Sequence, residues 1–552
     1  MQRLLTGIRP YLALVLLCLG LYLPGQASIP PLDRDEARYM QASKQMLESH
    51  DYVAIHFQEA PRNKKPVGIY WAQAAAVAAF SDAASPATWP YRLPSWLGAT
   101  AAVLLTFGFG KYLFSRQVAF VGAGLLASSL ILVAEAHQAK TDAAMLACVV
   151  AVMGVLGRLY MQARKGPAVP AWQIAAMWLA MGGGMLIKGP IAPMVMVLAI
   201  LALAIADRRW RWLGTTRPVT GIAIAVAVVA PWMIAITTGP QSGFVADAVQ
   251  QDLIPKLLGG QEAHGGFPGL YAVLALATLW PGSLFLVPAA IRSFRMRAEP
   301  GVRFCLAWAV PSWLVFELVP TKLPHYPLPL YPALCMLIAA ALFAVREDAY
   351  ALFGRIWQKG IGAVWALVGV VLAAAAVALP MLYGNGFTWL SIPVALVALA
   401  AVALPLKKSW SGLHLPAATF AVLLSVPLYA GVFGGVMPSL DKLWVAPRLA
   451  DAVHAIAPEG AVVALSGYTE PSAVFRLGTG TRLSNVQGVA DVLADDAGAV
   501  GIVDARDLPA FESRLAELGL APLLPRTEVS GFNYSKGRDV RLLVYRRTGP
   551  PE

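Results

Sequence analysis

Between Asp33 and Arg38 the chain places three carboxylates and two guanidiniums within six residues, Asp33-Arg34-Asp35-Glu36-Ala37-Arg38. An Asp35/Arg38 pair at i, i+3 on a helix lies on one face, setting an ionised carboxylate beside a cation suited to phosphate. The same cluster also fits the N-terminus of an amphipathic helix running through Leu47. Further on, Arg62-Asn63-Lys64-Lys65-Pro66 runs directly into Val67-Gly68-Ile69-Tyr70-Trp71, a basic group joined to an apolar, aromatic stretch. A site for a lipid phosphate needs that pairing, and interfacial anchoring by lysines and belt aromatics uses it too. Single residues follow: Asp142 in Ala139-Lys140-Thr141-Asp142, Lys188 breaking an apolar run before Gly189, and His264 in Gln261-Glu262-Ala263-His264. Lys322 and Tyr326 close the series in Lys322-Leu323-Pro324-His325-Tyr326-Pro327. Glu262, His264, His325 and the loop carboxylates carry oxygen and nitrogen donors for a divalent metal, but their spacing specifies none.

The elements that position these residues are membrane helices. Of the 552 residues 58% are apolar and 13% charged, a composition whose solvent is lipid. Apolar runs long enough to cross a bilayer are read near 10–25, 93–112, 117–135, 143–163, 171–187, 190–206, 217–237, 268–291, 301–319, 327–345, 360–381, 388–406 and 413–436, about thirteen spans. The first is read as a retained helix and not as a cleaved leader. Val67 to Phe80 is short and rich in small residues. If it lies along the surface, the basic groups at Lys111/Arg116, Arg158/Arg164/Lys165, Arg208 to Arg217, Arg292 to Arg303, Arg346/Arg355/Lys359 and Lys407/Lys408 all fall on the side of Arg3 and Arg9. That side is then the cytoplasm. The opposite face collects Asp33 to Arg38, Lys64/Lys65, His137 to Asp142, Lys188, His264 and Lys322 to Tyr326, a mixture that simple connecting loops do not need.

The expected organisation is an all-α polytopic membrane domain over 1–440, with a large first extracytoplasmic loop over 26–92, followed by a small α/β domain over 441–552. In the tail, Ala461 to Ser466, Ala499 to Val503 and Val540 to Tyr545 read as strands. Pro471 to Leu477, Val489 to Ala494 and Leu508 to Leu518 read as helices between them. Gly478-Thr479-Gly480 is isolated and makes no nucleotide-binding fingerprint. The net charge of +12 comes from small groups between apolar stretches, with no continuous basic face, so a nucleic-acid partner is not indicated.

Taken together these segments resemble the bacterial membrane glycosyltransferases of the GT-C fold, particularly the lipid A aminoarabinose transferases and their relatives the protein O-mannosyltransferases. The resemblance rests on Asp35-Glu36-Ala37-Arg38-Tyr39, Lys65-Pro66-Val67-Gly68-Ile69-Tyr70-Trp71, Thr141-Asp142, Ile187-Lys188-Gly189-Pro190 and Lys322-Leu323-Pro324-His325-Tyr326-Pro327, in that order along the whole chain. It implies a bacterial inner-membrane enzyme; the basic groups put the N-terminus in the cytoplasm, and an odd number of spans then puts the C-terminal domain outside, in the periplasm. It implies Asp35 as the residue tied to catalysis and Lys65 as a ligand of the phosphate of a polyprenyl-phosphate sugar. Asp142, Lys188, His264 and Tyr326 are implied as further members of the site. The aminoarabinose enzymes usually show Glu-Lys-Pro where this chain has Lys64-Lys65-Pro66, which bears on the identity of the sugar.

A transferase of this kind stabilises a leaving phosphate and an oxocarbenium-like sugar at the membrane surface, for which Lys65, Arg38 and Lys188 suit the phosphate and Asp35 the sugar or acceptor. The expected partners are a polyprenyl (undecaprenyl) phosphate sugar donor, lipid A or another envelope acceptor, and membrane lipids. Transfer of 4-amino-4-deoxy-L-arabinose to lipid A phosphate is the first expectation, and protein O-mannosylation the alternative. A transporter or flippase for a lipid-linked sugar is the rival of another class. It would place ionisable or helix-breaking features near the bilayer midplane in two related halves, whereas here the polar residues gather on one face.

Overall fold

The computed structural model describes residues 5–239, 241–255, 266–343, 356–458 and 460–547. The chain opens with α1 (Arg9–Tyr22), then α2 (Asp35–Ser49), a two-stranded hairpin of β1 (His56–Phe57) and β2 (Ala60–Pro61), and α3 (Gly68–Phe80). There follow α4 (Trp89–Leu113), α5 (Arg116–Ser128), α6 (Leu130–Ala136), α7 (Asp142–Gln162), α8 (Ala171–Lys188), α9 (Ile191–Asp207) and α10 (Pro218–Thr238). Among the described residues seven helices are long and apolar enough to cross a membrane, or eight if α5 and α6, bent by 61° to one another, form a single span. α3, at 13 residues, is about 20 Å long and falls short of the hydrocarbon thickness, as does α1 at 14 residues. The segment expected to cross at 268–291 is interrupted: helices Leu270–Thr278 and Leu286–Arg295 flank a short 3₁₀ turn at Gly282–Phe285.

Burial separates central from peripheral helices. The apolar window of α7 is 72% buried, against 22% for α10, so α7 is the axis of the bundle and α10 turns much of its surface outward. α7 packs closely on α4 because small residues line the crossing. A Cβ at Gly98 would come within 2.6 Å of the Ala144 Cα, so only glycine permits this approach. The two ends of α7 differ in kind. Near its C-terminus Arg164 and Arg303 both pair with Asp207, which also accepts from the Tyr160 hydroxyl at 2.8 Å. Its N-terminus, about 30 Å away for 21 residues, carries Asp142.

After the last long helix, His414–Gly431, the chain forms a mixed five-stranded sheet in the order β4-β3-β5-β7-β6. β3 (Val463–Leu465) pairs in parallel with β4 (Arg482–Leu483) and β5 (Val500–Asp504). β7 (Arg538–Arg546) pairs antiparallel with both β5 and β6 (Thr527–Asn533). The two-residue period of β7 sends Leu542 and Val544 to the face covered by helix Val445–His454, and Leu543 and Tyr545 to the face covered by helices Val486–Asp495 and Leu508–Glu517. The three expected strands and three expected helices are all present. β4 and β6 are additional: the first is only two residues long, and the second, in Thr-Glu-Val-Ser-Gly-Phe-Asn, lacks an apolar run.

Candidate active site

Asp35 is the first residue of α2, and what aims it is its neighbour Glu36. The Glu36 carboxylate is buried and receives Arg92 of α4 through two bonds, Nε to Oε1 at 2.8 Å and Nη2 to Oε2 at 3.0 Å. It also accepts the main-chain N–H of Leu32 and of Ala139, each at 2.8 Å. Arg92 completes its bonds on the carbonyls of Gln26, Ile29 and Pro30 at 2.8 to 3.0 Å. A buried ion pair of this completeness fixes geometry, here the start of α2 against the turn between α6 and α7.

That turn carries the next charges. Lys140 donates to Glu135 Oε1 at 3.0 Å, and Asp142, at the N-terminus of α7, pairs with Lys188, at the C-terminus of α8. Acid at a helix start and base at a helix end each suit the helix dipole. His325, in the loop after helix Pro300–Leu318, sits between the two carboxylates, with Nδ1 3.6 Å from Glu135 and Nε2 3.8 Å from Asp142. The Lys188 ammonium lies 5.5 Å from the centre of the Tyr326 ring, within cation–π range. One constellation therefore unites Asp142, Lys188 and Tyr326 with Glu135, Lys140 and His325.

Asp35 is exposed at the mouth of this group. Open to solvent on one side, its carboxyl is still crowded by protein, which opposes ionisation, but the charges of Lys140, Arg62 and Arg38 outweigh this and hold the group below the usual carboxylate range. Arg62 is itself fixed, its Nε donating to the Tyr70 hydroxyl at 3.1 Å and its guanidinium 5.0 Å from the centre of the Tyr39 ring. His325 is pushed down to about 3, chiefly by burial, so its ring is neutral at physiological pH. Lys65 precedes α3 and donates to the Lys64 carbonyl at 3.0 Å. Gly68, three residues on, explains how this segment reaches the site: a Cβ there would stand 2.8 Å from the Leu186 carbonyl oxygen, so α3 begins against the end of α8 beside Lys188.

Lys322 goes elsewhere. Its ammonium donates to the carbonyls of Phe316, Glu317 and Val319 at 2.7 to 3.2 Å, closing the C-terminus of helix Pro300–Leu318. His264 lies outside the described residues, as does Glu262. Among the described residues no group of three or more His, Cys, Asp or Glu side chains is placed to hold a metal ion. Sequence reasoning passed over Glu135 and the Glu36–Arg92 pair. Glu135 had one usable signal, a lone carboxylate at the end of an apolar run.

Residues 64–234, which include Lys65, Asp142 and Lys188, match the family model described as dolichyl-phosphate-mannose-protein mannosyltransferase. The undecaprenyl phosphate-alpha-4-amino-4-deoxy-L-arabinose arabinosyl transferase 2 of Pseudomonas fluorescens (strain Pf0-1) is 30% identical over 309 residues, 56% of this chain and 55% of that protein. The chain thus matches about half the length of that relative. The arabinosyl transferase of Pseudomonas paraeruginosa (strain DSM 24068 / PA7) is 26% identical over 494 residues, covering 87% of this chain and 81% of its own length. In fold, the crystal structure of ArnT from Cupriavidus metallidurans bound to undecaprenyl phosphate superposes with a TM-score of 0.76 at 16% identity, covering 99% of this chain and all of that one. In sequence the chain is therefore similar to proteins named arabinosyl transferases, and its fold is that of the ArnT structure.

Proposed function

We propose that the protein transfers 4-amino-4-deoxy-L-arabinose from undecaprenyl phosphate to a phosphate of lipid A at the periplasmic face of the bacterial inner membrane. In this reading residues 1–440 form the membrane domain with about thirteen spans, residues 441–552 the periplasmic domain, and the N-terminus is cytoplasmic. The alternation of the basic groups along the sequence supports that orientation.

The observation that carries the reading is the geometry that joins the Asp142–Lys188 ion pair to His325 and Tyr326, with Asp35 at the head of α2 tied to the same turn through its neighbour Glu36. In the transfer, the bond between the sugar's anomeric carbon and the donor phosphate oxygen breaks, and the phosphate leaves with the electron pair. An acceptor oxygen then bonds to the anomeric carbon. Lys65, Arg38, Arg62 and Lys188 supply positive charge for the leaving phosphate, and Asp35 offsets the positive charge that develops on the sugar ring. Asp142 holds Lys188 in place. A lipid A phosphate is already anionic, so no general base is required.

A second reading is favoured by Lys64, where the aminoarabinose enzymes usually carry glutamate, and by the description of the matching family model. It is transfer of a hexose to a protein hydroxyl, in which Asp35 accepts the hydroxyl proton. Mass spectrometry separates the two. Cells lacking their own transferase would be complemented with this chain or its Asp35→Ala variant at matched abundance. A pentosamine addition on lipid A restored by the unmodified chain alone supports the first reading. Unchanged lipid A together with newly glycosylated envelope protein supports the second.

A further inference from the structure

Asp33 lies two residues before Asp35, yet every bond recorded for its polar groups runs to the C-terminal domain. Its carboxylate accepts from the Tyr468 hydroxyl at 3.1 Å and from the Ser472 main-chain N–H at 3.2 Å. Its own N–H donates to the Tyr534 hydroxyl at 2.6 Å. The next residue, Arg34, donates to the Ser535 carbonyl at 2.7 Å. Arg34 has φ 69° and ψ −105°, a conformation a non-glycine residue keeps only where its surroundings over-determine it. Here the surroundings on one side are Glu36, locked to Arg92, and on the other Asp33 and Arg34, locked to the C-terminal domain. Asp35 is suspended between the two anchors. One anchor belongs to the bundle and the other to the soluble domain.

We propose that the C-terminal domain is a positioning element for the transfer: by gripping Asp33 it fixes the turned backbone at Arg34 and so aims the Asp35 carboxylate into the site. Asp33 is then a positioning residue that touches no substrate. The catalytic arm of this proposal rests on the function proposed above, and the structural arm does not. The grip extends down α2, where Gln41 donates to the Thr479 hydroxyl at 2.7 Å and the Lys44 ammonium lies 5.5 Å from the centre of the Phe475 ring. The domain therefore holds the whole helix that Asp35 heads.

The test uses the full chain in lipid nanodiscs, with hydrogen exchange of the 32–40 segment and of α7, and steady-state transfer from undecaprenyl phosphate aminoarabinose to lipid A. Asp33→Ala is expected to speed exchange over 32–40 with α7 unchanged, and to lower kcat at least about tenfold while KM for the donor stays within about twofold. Asp33→Asn keeps an oxygen acceptor for Ser472 and is expected to keep most of kcat. Tyr534→Phe, a milder lesion, should show the same exchange signature at smaller amplitude. Unchanged exchange over 32–40 in Asp33→Ala overturns the proposal. An equal loss of kcat in the Ala and Asn variants, with exchange unchanged in both, also overturns it, because Asp33 would then act through its charge on the substrate. If the unmodified chain transfers nothing from this donor, the substrate reading falls alone, and faster exchange in Asp33→Ala still supports the grip.

Discussion

Glu36 and Glu135 are both nearly inaccessible carboxylates facing a cation, at 1% and 3% exposure, yet they are built for different purposes. Glu36 accepts four hydrogen bonds, two from Arg92 and two from main-chain N–H groups, and nothing more can bind to it. Glu135 accepts one, from Lys140, and its Oε2 has no partner among the described residues. His325 stands beyond hydrogen-bond distance from both Glu135 and Asp142. The closed pair holds the backbone, whereas the open group keeps unspent bonding capacity beside Asp35. Unspent capacity in a buried charged group is costly unless a ligand uses it, so the comparison separates framework from site.

The sharpest way to break the comparison is Arg92→Ala. It leaves the Glu36 charge buried and uncompensated, and a destabilisation of about 3–5 kcal/mol is expected in thermal or denaturant unfolding of the purified protein. Next comes Lys188→Met, expected to lower kcat/KM roughly 10- to 100-fold. A Lys188→Met/Asp142→Asn double variant should recover stability, since no unpaired carboxylate remains, while transfer stays low. Lys322 provides the opposite signature. Lys322→Met removes a charged donor from three helix-end carbonyls, so a loss of about 1–3 kcal/mol in stability is expected with kcat and KM little changed. A KM effect with unchanged stability would instead return Lys322 to the substrate.

The smallest effect concerns Asp33, whose carboxyl is pushed up to about 6, chiefly by burial and further by the nearby Glu470. A raised folded-state pKa means that the ionised form penalises folding, so stability falls as pH rises from the unfolded value near 4 towards 6. Asp33→Asn is therefore expected to raise the melting temperature above pH 6 and to leave it unchanged at pH 4. A gain of equal size at both pH values would contradict the assignment of charge as the cause.

Much of this was legible in the sequence because membrane helices and charge asymmetry are written in composition. The Lys65-Pro66-Val67-Gly68, Thr141-Asp142 and Ile187-Lys188-Gly189 motifs lie where chain order alone suggests, and the structure brings Asp142, Lys188 and Tyr326 together. Residues whose role is set by partners far away in the chain were not legible. Arg92 belongs to no motif in the sequence, and its partner Glu36 lies 56 positions earlier. Lys322 reads as a site cation within its motif, but its bonds go to helix-end carbonyls three to six residues back, a local cap hidden by an attractive motif. The bend between α5 and α6 was invisible because both halves are apolar, and the Leu130 N–H that leaves the helix ladder bonds to the Trp280 carbonyl, 150 residues on. Asp33 belongs in sequence to the same mixed group of acids and bases as Asp35, but its carboxylate bonds to Tyr468 and Ser472 of the C-terminal domain.

The most direct measurement is transfer by the purified chain in nanodiscs, with undecaprenyl phosphate aminoarabinose as donor and lipid A as acceptor, comparing Asp35 with Asp35→Asn at equal melting temperature. The expected result is a pentosamine on lipid A from the unmodified chain and a loss of at least about 100-fold in kcat/KM for the variant, since an isosteric amide keeps shape but removes the charge facing the sugar. Transfer by Asp35→Asn at the unmodified rate would contradict the role of that carboxylate, and no transfer by the unmodified chain would contradict the substrate pair itself.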